Sequence, residues 1–271
     1  MNLQTGTGMQ FSFCLEMLYT NLLFEQRLEA ASADGIRAIE IWDWRNKNLD
    51  QLQEQLATLD LQLSNMSGNR VHGMLDPVEQ DPFLAELRES GQIAKRLGCP
   101  RLMLLAQPLL PDDSAKLLPS NLSQEERIAQ AVNCGRAATK IADELQLDIV
   151  IEPLNSVLDH PNFFLDSSRL AFDLVRKVQH PRVKVLYDVY HMAAMKENIE
   201  QDLTQNIDLI GHFHIADLPG RQEPGTGTLD FKVLSSLLRS LSFEGTVGFE
   251  FKPGQEDSSA AVRRALEVFC A

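Results

Sequence analysis

The sequence predicts an α/β chain folded as one (β/α)8 TIM barrel, and three observations lead there. Its 271 residues match the usual length of a single such barrel. Short apolar runs alternate with longer amphipathic stretches from one end to the other, which is the pattern of repeated βα units on a parallel sheet. Eight units fill residues 1–271 and leave no room for a second domain, which favours a closed barrel over an open doubly wound sheet.

The eight predicted strands are 11–17 (FSFCLEM), 38–42 (AIEIW), 61–66 (LQLSNM), 101–107 (RLMLLAQ), 148–154 (DIVIEPL), 183–190 (VKVLYDVY), 210–216 (IGHFHIA) and 246–251 (TVGFEF). Helical spacing between them is clear in Ile128, Ala131, Ala138, Ile141 and Leu145, and again in Val262, Leu266 and Phe269. Ser123, Asp166 and Asp230 are candidate N-caps. The Pro-rich piece 108–119 reads as a long loop after the fourth strand, on the side of a barrel where loops carry active sites.

Composition narrows the function. Twenty-five Lys and Arg against 38 Asp and Glu give a formal charge of −13, which repels phosphate backbones and anionic membrane surfaces. Nucleic acid and membrane are therefore not the expected partners. Cys14, Cys99, Cys134 and Cys270 are dispersed and form no CxxC pair, so they are expected to be reduced, buried thiols. The N-terminal stretch MNLQTGTGMQ has neither a basic region nor an apolar run, and no segment is long and apolar enough to span a bilayer. The expected location is the cytoplasm, and association into a homo-oligomer is left open.

Strands buried on both faces should be almost wholly apolar, so an acidic or imidazole side chain at a strand end needs a partner or a cation. Four successive strands break the rule, with Glu152 in IVIEPLN, Asp188 in VLYDVYH, His214 in GHFHIAD and Glu250 in VGFEFKP. In a barrel all four lie at the C-terminal rim. Three carboxylates and an imidazole suit one divalent ion, Mn²⁺ or Mg²⁺, with Co²⁺ also compatible.

His212 lies two residues before His214 and points to the same side, so it reads as a hydrogen-bonded core histidine. His191 sits where the sixth strand gives way to its loop, within reach of a substrate or in a plain loop role. Glu40, Trp42, His72 and Gln107 end or follow earlier strands; packing or surface roles fit each, with the pocket wall as the alternative. The Gly- and Pro-rich segment 219–230 (PGRQEPGTGTLD) reads as a shaped loop over the pocket. Its GTG lacks the context of a dinucleotide fingerprint and no Walker motif occurs, so neither NAD nor ATP is expected.

The segments IEPLN, YDVYHM, GHFHIADLPGR, EPGTGTLDF and GFEFKP, with the opening FCLEMLYTNLLFEQRLEAASADGIRAIEIW, resemble the hydroxypyruvate isomerase family within the xylose-isomerase-like barrels. The resemblance covers nearly the whole chain and is loosest from about 68 to 125. It implies that Glu152, Asp188, His214 and Glu250 bind one metal ion, and that Glu152 and Glu250 are also the two acid/base carboxylates. Similarity to the related ketose 3-epimerases implies that His191 and Arg221 contact substrate.

Two departures qualify the substrate. Hydroxypyruvate isomerases carry Gln where this chain has His214, and Arg shortly after the EPxN motif where it has Val157. The 3-epimerases have the histidine but place a substrate-binding Glu where Leu158 stands. The implied activity is metal-assisted isomerisation of a small keto-sugar or sugar acid through an enediolate, with ketose 3-epimerisation as the close alternative. Loss of the arginine leads us to expect that a neutral keto-sugar serves at least as well as hydroxypyruvate, unless Arg221 or Lys252 takes its place. A multi-metal endonuclease-like hydrolase is more distant, and so is a catalytically silent binding module.

Overall fold

The computed structural model describes residues 8–119 and 121–270. Residues 1–7, most of the stretch read above as neither leader nor anchor, lie outside them. Its strands are β1 (Gln10–Cys14), β2 (Ala38–Ile41), β3 (Gln62–Ser67), β4 (Arg101–Leu105), β5 (Asp148–Glu152), β6 (Val183–Asp188), β7 (Ile210–Ile215) and β8 (Thr246–Phe249). Each pairs in parallel with the next and β8 returns to β1, closing the barrel in sequence order. All eight predicted strands are present; β3 runs 62–67 against the expected 61–66, and the other seven are shorter than their apolar runs because the apolar residues continue into the loops that cover the rim.

The helices are α1 (Phe24–Ala33), α2 (Leu49–Thr58), α3 (Gln80–Leu97), α4 (Gln124–Leu145), α5 (Ser168–Val178), α6 (Val189–Ala194), α7 (Ile199–Asn206), α8 (Phe231–Ser240) and α9 (Ser258–Cys270). Ser123 caps α4 in a capping box with Glu126, and Asp230 caps α8. The cap of α5 is Ser167 rather than Asp166, because the Asp166 carboxylate is taken by the Ser156 hydroxyl at 2.6 Å. Residues 108–119 form the expected loop, closed by a bridge between Leu109 and Ala115.

Alternation along each strand divides the side chains into two cores. Outward residues such as Ile39, Phe213, Val247 and Phe249 join the large core between barrel and helices. Inside the barrel, Met103, Val150 and Leu186 form a small separate apolar cluster on the β4–β6 side. The rest of the interior is polar and buried, built from Ser12, Glu40, Asn65, His212 and Thr246. This polar interior lies beneath the site.

Cys14, Cys99 and Cys134 are buried, Cys270 is half-buried, and all four are unpaired. Among the described residues no helix is long and apolar enough to cross a membrane.

Candidate active site

Strand register brings the four rim residues together. A bulge between Val185 and Leu186 sets Asp188 directly opposite His214, and His214 in turn faces Gly248. The chain leaves β8 at Glu250, whose N–H donates to the Ile215 carbonyl at 3.2 Å. One ligand atom from each of Glu152, Asp188, His214 and Glu250 lies within 4.8 Å of the other three, and all four residues are buried. His214 Nδ1 is 3.3 Å from Glu152 Oε1 and 3.6 Å from Glu250 Oε2.

Taking three carboxylates out of water without a full counter-charge disturbs them. Burial pushes Glu152 up to about 7 despite its bond from His214, and lifts Asp188 to about 6 against the pull of Arg221. Burial also acts on Glu250, but His214, Arg221 and the Trp42 indole outweigh it and keep its carboxyl below the usual range. The same carboxylates overcome burial at His214 and raise the imidazole well above its ordinary value. The surplus negative charge and the mixed oxygen and nitrogen donors fit a divalent cation.

Protons and a bound cation would compete for these atoms, which fixes the direction of the pH response. Protons raised onto Glu152, Asp188 and His214 must leave as the ion binds. Mn²⁺ affinity is therefore expected to rise steeply from about pH 5 to pH 7 as Asp188 and Glu152 lose their protons, and to go on rising above pH 7 as His214 loses its own, with proton release visible by calorimetry in buffers of different ionisation enthalpy. Affinity that is flat across that interval would show that the ion binds elsewhere.

Neighbouring groups orient the cluster. Asp188 caps α6, accepting from the N–H groups of Tyr190 and His191 through Oδ1, which leaves Oδ2 for the site. His191 is fully buried, and its Nδ1 accepts from the Asn155 side-chain amide at 2.7 Å. Its Nε2 therefore carries the proton, and it has no hydrogen-bond partner among the described residues. Arg221 donates to Glu250 Oε2 and lies 4.0 Å from Asp188 Oδ2. Trp42 donates to Glu250 Oε1 at 2.6 Å.

Glu152, Glu250, Trp42, His191 and Arg221 line a cavity of about 530 Å³ whose wall also includes Arg70, His160 and Lys252. Its size suits a small molecule. A family model described as xylose isomerase-like TIM barrel matches residues 28–271. The chain belongs to the xylose isomerase-like TIM barrel family.

Within that family it is 30% identical to a putative hydroxypyruvate isomerase of Xenopus laevis, over 90% of this chain and 90% of the relative. It is also 30% identical to the hydroxypyruvate isomerase of Escherichia coli, over 94% of this chain and 97% of that one. Its fold is similar to the apo crystal structure of 3-keto-D-glucoside 4-epimerase from E. coli, with a TM-score of 0.80, 22% identity and coverage of 97% and 99%.

Several residues around the site were undervalued by sequence reasoning. Trp42 lies in the cavity wall, and Glu40 bonds both His212 and His214, so neither is only packing. Glu40 carries the same signal as the four rim residues, an acid inside the apolar run AIEIW. Arg70 and Asn155 carry no such signal. His72 instead pairs with Glu79 at 2.6 Å, and Gln107 ties Lys116 to Asn162 through their backbone carbonyls. Val157 and Leu158 are 61% and 59% exposed and are absent from the cavity wall, whereas Arg221 and Lys252 belong to it.

Proposed function

We propose that this chain is an isomerase that uses one divalent cation, Mn²⁺ or Mg²⁺, to move a proton between adjacent carbons of a small keto-sugar or sugar acid. Glu152, Asp188, His214 and Glu250 would hold the ion. The observation that carries the reading is the convergence of those four buried side chains, two of which, Glu152 and Glu250, line the cavity. The names of the relatives point to the same reaction class.

Bound there, the cation supplies Lewis acidity toward a carbonyl and its neighbouring hydroxyl, which makes the adjacent C–H easier to deprotonate. Glu152 on β5 and Glu250 beyond β8 are separated by β6 and β7, so they approach a substrate from different sides. One carboxylate takes the proton from carbon as the electron pair moves into the developing enediolate. Return by the same carboxylate to the next carbon gives aldose–ketose isomerisation, whereas delivery by the other inverts a centre.

Trp42 and Arg221 clamp one oxygen each of Glu250 and hold its orientation. The unpartnered Nε2–H of His191 is set to donate to a substrate oxygen, its tautomer held by Asn155. Arg70 and Lys252 in the wall are cations available to a substrate carboxylate. Epimerisation is the second reading, favoured by His214, the residue found at this position in the 3-epimerases.

Wash-in of deuterium from D₂O tests the class directly. Small 2-keto acids, tetronates and ketoses are incubated with the Mn²⁺-loaded protein, and exchange of the C–H next to the carbonyl is followed by NMR. Metal-dependent exchange in at least one of them is expected. Absence of exchange in all of them, with stoichiometric metal bound, would sink the proton-transfer reading.

A further inference from the structure

Below the proposed ligands, the interior holds a hydrogen-bonded chain that the reaction itself does not use. It starts at Arg101 on β4, whose guanidinium donates to His212 Nδ1 at 3.0 Å. An arginine has no acceptor and does not lose its proton, so His212 Nδ1 must accept. The only proton on a neutral His212 then sits on Nε2 and is donated to Glu40 Oε1 at 2.9 Å.

Glu40 is 2% exposed, and its four acceptor positions are filled. Oε1 takes His212 and the Ser12 hydroxyl; Oε2 takes the Asn65 amide and His214 Nε2, each at 2.9 Å. A carboxylate in this state only accepts, so His214 must donate through Nε2. The free pair of neutral His214 is thereby left on Nδ1, the nitrogen that faces Glu152 and Glu250.

From this geometry we infer that Glu40 is a positioning residue: it selects Nδ1 as the metal-binding nitrogen of His214, under a direction of hydrogen bonding set by Arg101 through His212. The inference rests on the cation reading above. Gly248 belongs to the same device, because a Cβ there would lie 2.3 Å from Glu40 Oε1 and 2.8 Å from His214 Cδ2. His212 and His214 with Glu40 also form a compact buried trio. The guanidinium against His212 and the filled carboxylate oxygens make that trio a support for the ligand rather than a second cation site.

Glu40→Gln is the discriminating substitution because it keeps the volume. His212 still needs an acceptor, so the amide oxygen turns toward it. The new NH₂ then faces Asn65 and His214. Asn65 can adapt, since its Oδ1 has no partner among the described residues and can turn to accept. His214 can adapt only by accepting on Nε2, which moves its proton to Nδ1 and blocks the metal-facing nitrogen.

The expected result is a folded variant whose Kd for Mn²⁺ is weaker by about 10–100-fold, with a Tm close to wild type in the absence of metal. A folded Glu40→Gln protein that binds Mn²⁺ within threefold of wild type would overturn the assignment, since a merely structural role lowers Tm without changing the affinity of the folded molecule. Histidine-selective ¹⁵N NMR on wild type loaded with diamagnetic Mg²⁺ provides a measurement that needs no variant. A proton on Nε2 of His214 is expected, and a proton on Nδ1 overturns the inference. A wild-type protein that binds neither ion overturns the cation reading and this assignment together.

Discussion

Replacing Glu250 by Gln is expected to reduce substrate proton exchange by about 10²–10⁴-fold even at saturating Mn²⁺, the range for losing a positioned acid or base. Asp188→Asn is expected to behave differently. It removes the charge of a proposed ligand at the N-terminus of α6 without removing a proposed base, so it should weaken metal binding and recover much of its exchange when Mn²⁺ is in excess. The contrast lies in geometry: Glu250 is gripped by Trp42 and Arg221 with its carboxylate toward the cavity, whereas Asp188 divides its oxygens between the α6 backbone and the site. Titrating Mn²⁺ into both variants while following exchange decides the matter. Full recovery of Glu250→Gln at high Mn²⁺ would reduce that residue to a ligand and remove the two-carboxylate mechanism.

Asp217→Ala is expected to lower stability on the order of 3 kcal/mol, equivalent to a fall in Tm of roughly 6–12 °C for a domain of this size, and to reduce exchange as well. Asp217 is fully buried just beyond β7. Its Oδ1 accepts from the N–H groups of Leu218 and Leu229, and its Oδ2 from those of Gly225 and Gly227, at 2.8–3.1 Å. One carboxylate thus ties together the loop that carries Arg221. The loop passes so close that a Cβ on Gly227 would meet Asp217 Oδ1 at 2.5 Å and the Leu218 carbonyl at 2.4 Å. Truncation leaves four N–H groups without their acceptor and frees Arg221 from its place against Glu250. A Tm within about 2 °C of wild type, measured by calorimetry, would show that the loop holds its shape by other means.

Both substitutions depend on the rim loops, where sequence and tertiary structure divide the explanation between them. The barrel was legible in the sequence because a parallel strand buried on two faces must be a short apolar run, and eight such runs allow few arrangements. Glu152, Asp188, His214 and Glu250 were legible for the complementary reason, as polar side chains in strands whose burial forbids them unless something answers their charge. Glu40 obeyed the same rule and was still undervalued, because its partners on β7 are more than 170 positions away in the chain and spacing along one strand says nothing about them.

Val157 illustrates the opposite case. Its place in the sequence points to the loss of an arginine that could hold a substrate carboxylate, but the Val157 side chain stands in solvent while Arg70, from the loop after β3, lies in the wall. Arg70 is held by a contact no local pattern encodes: the buried Glu86 carboxylate of α3 accepts from the backbone N–H groups of residues 70–72. Periodicity and forbidden polarity are local properties, so the sequence by itself determined the barrel and the four side chains converging at its mouth. Which nitrogen of His214 faces them, which residues clamp Glu250 and which cations reach the cavity depend on strand register and loop closure. Only the tertiary structure decided these, because hydrogen-bond direction is set by partners that the closed barrel brings together from opposite ends of the chain.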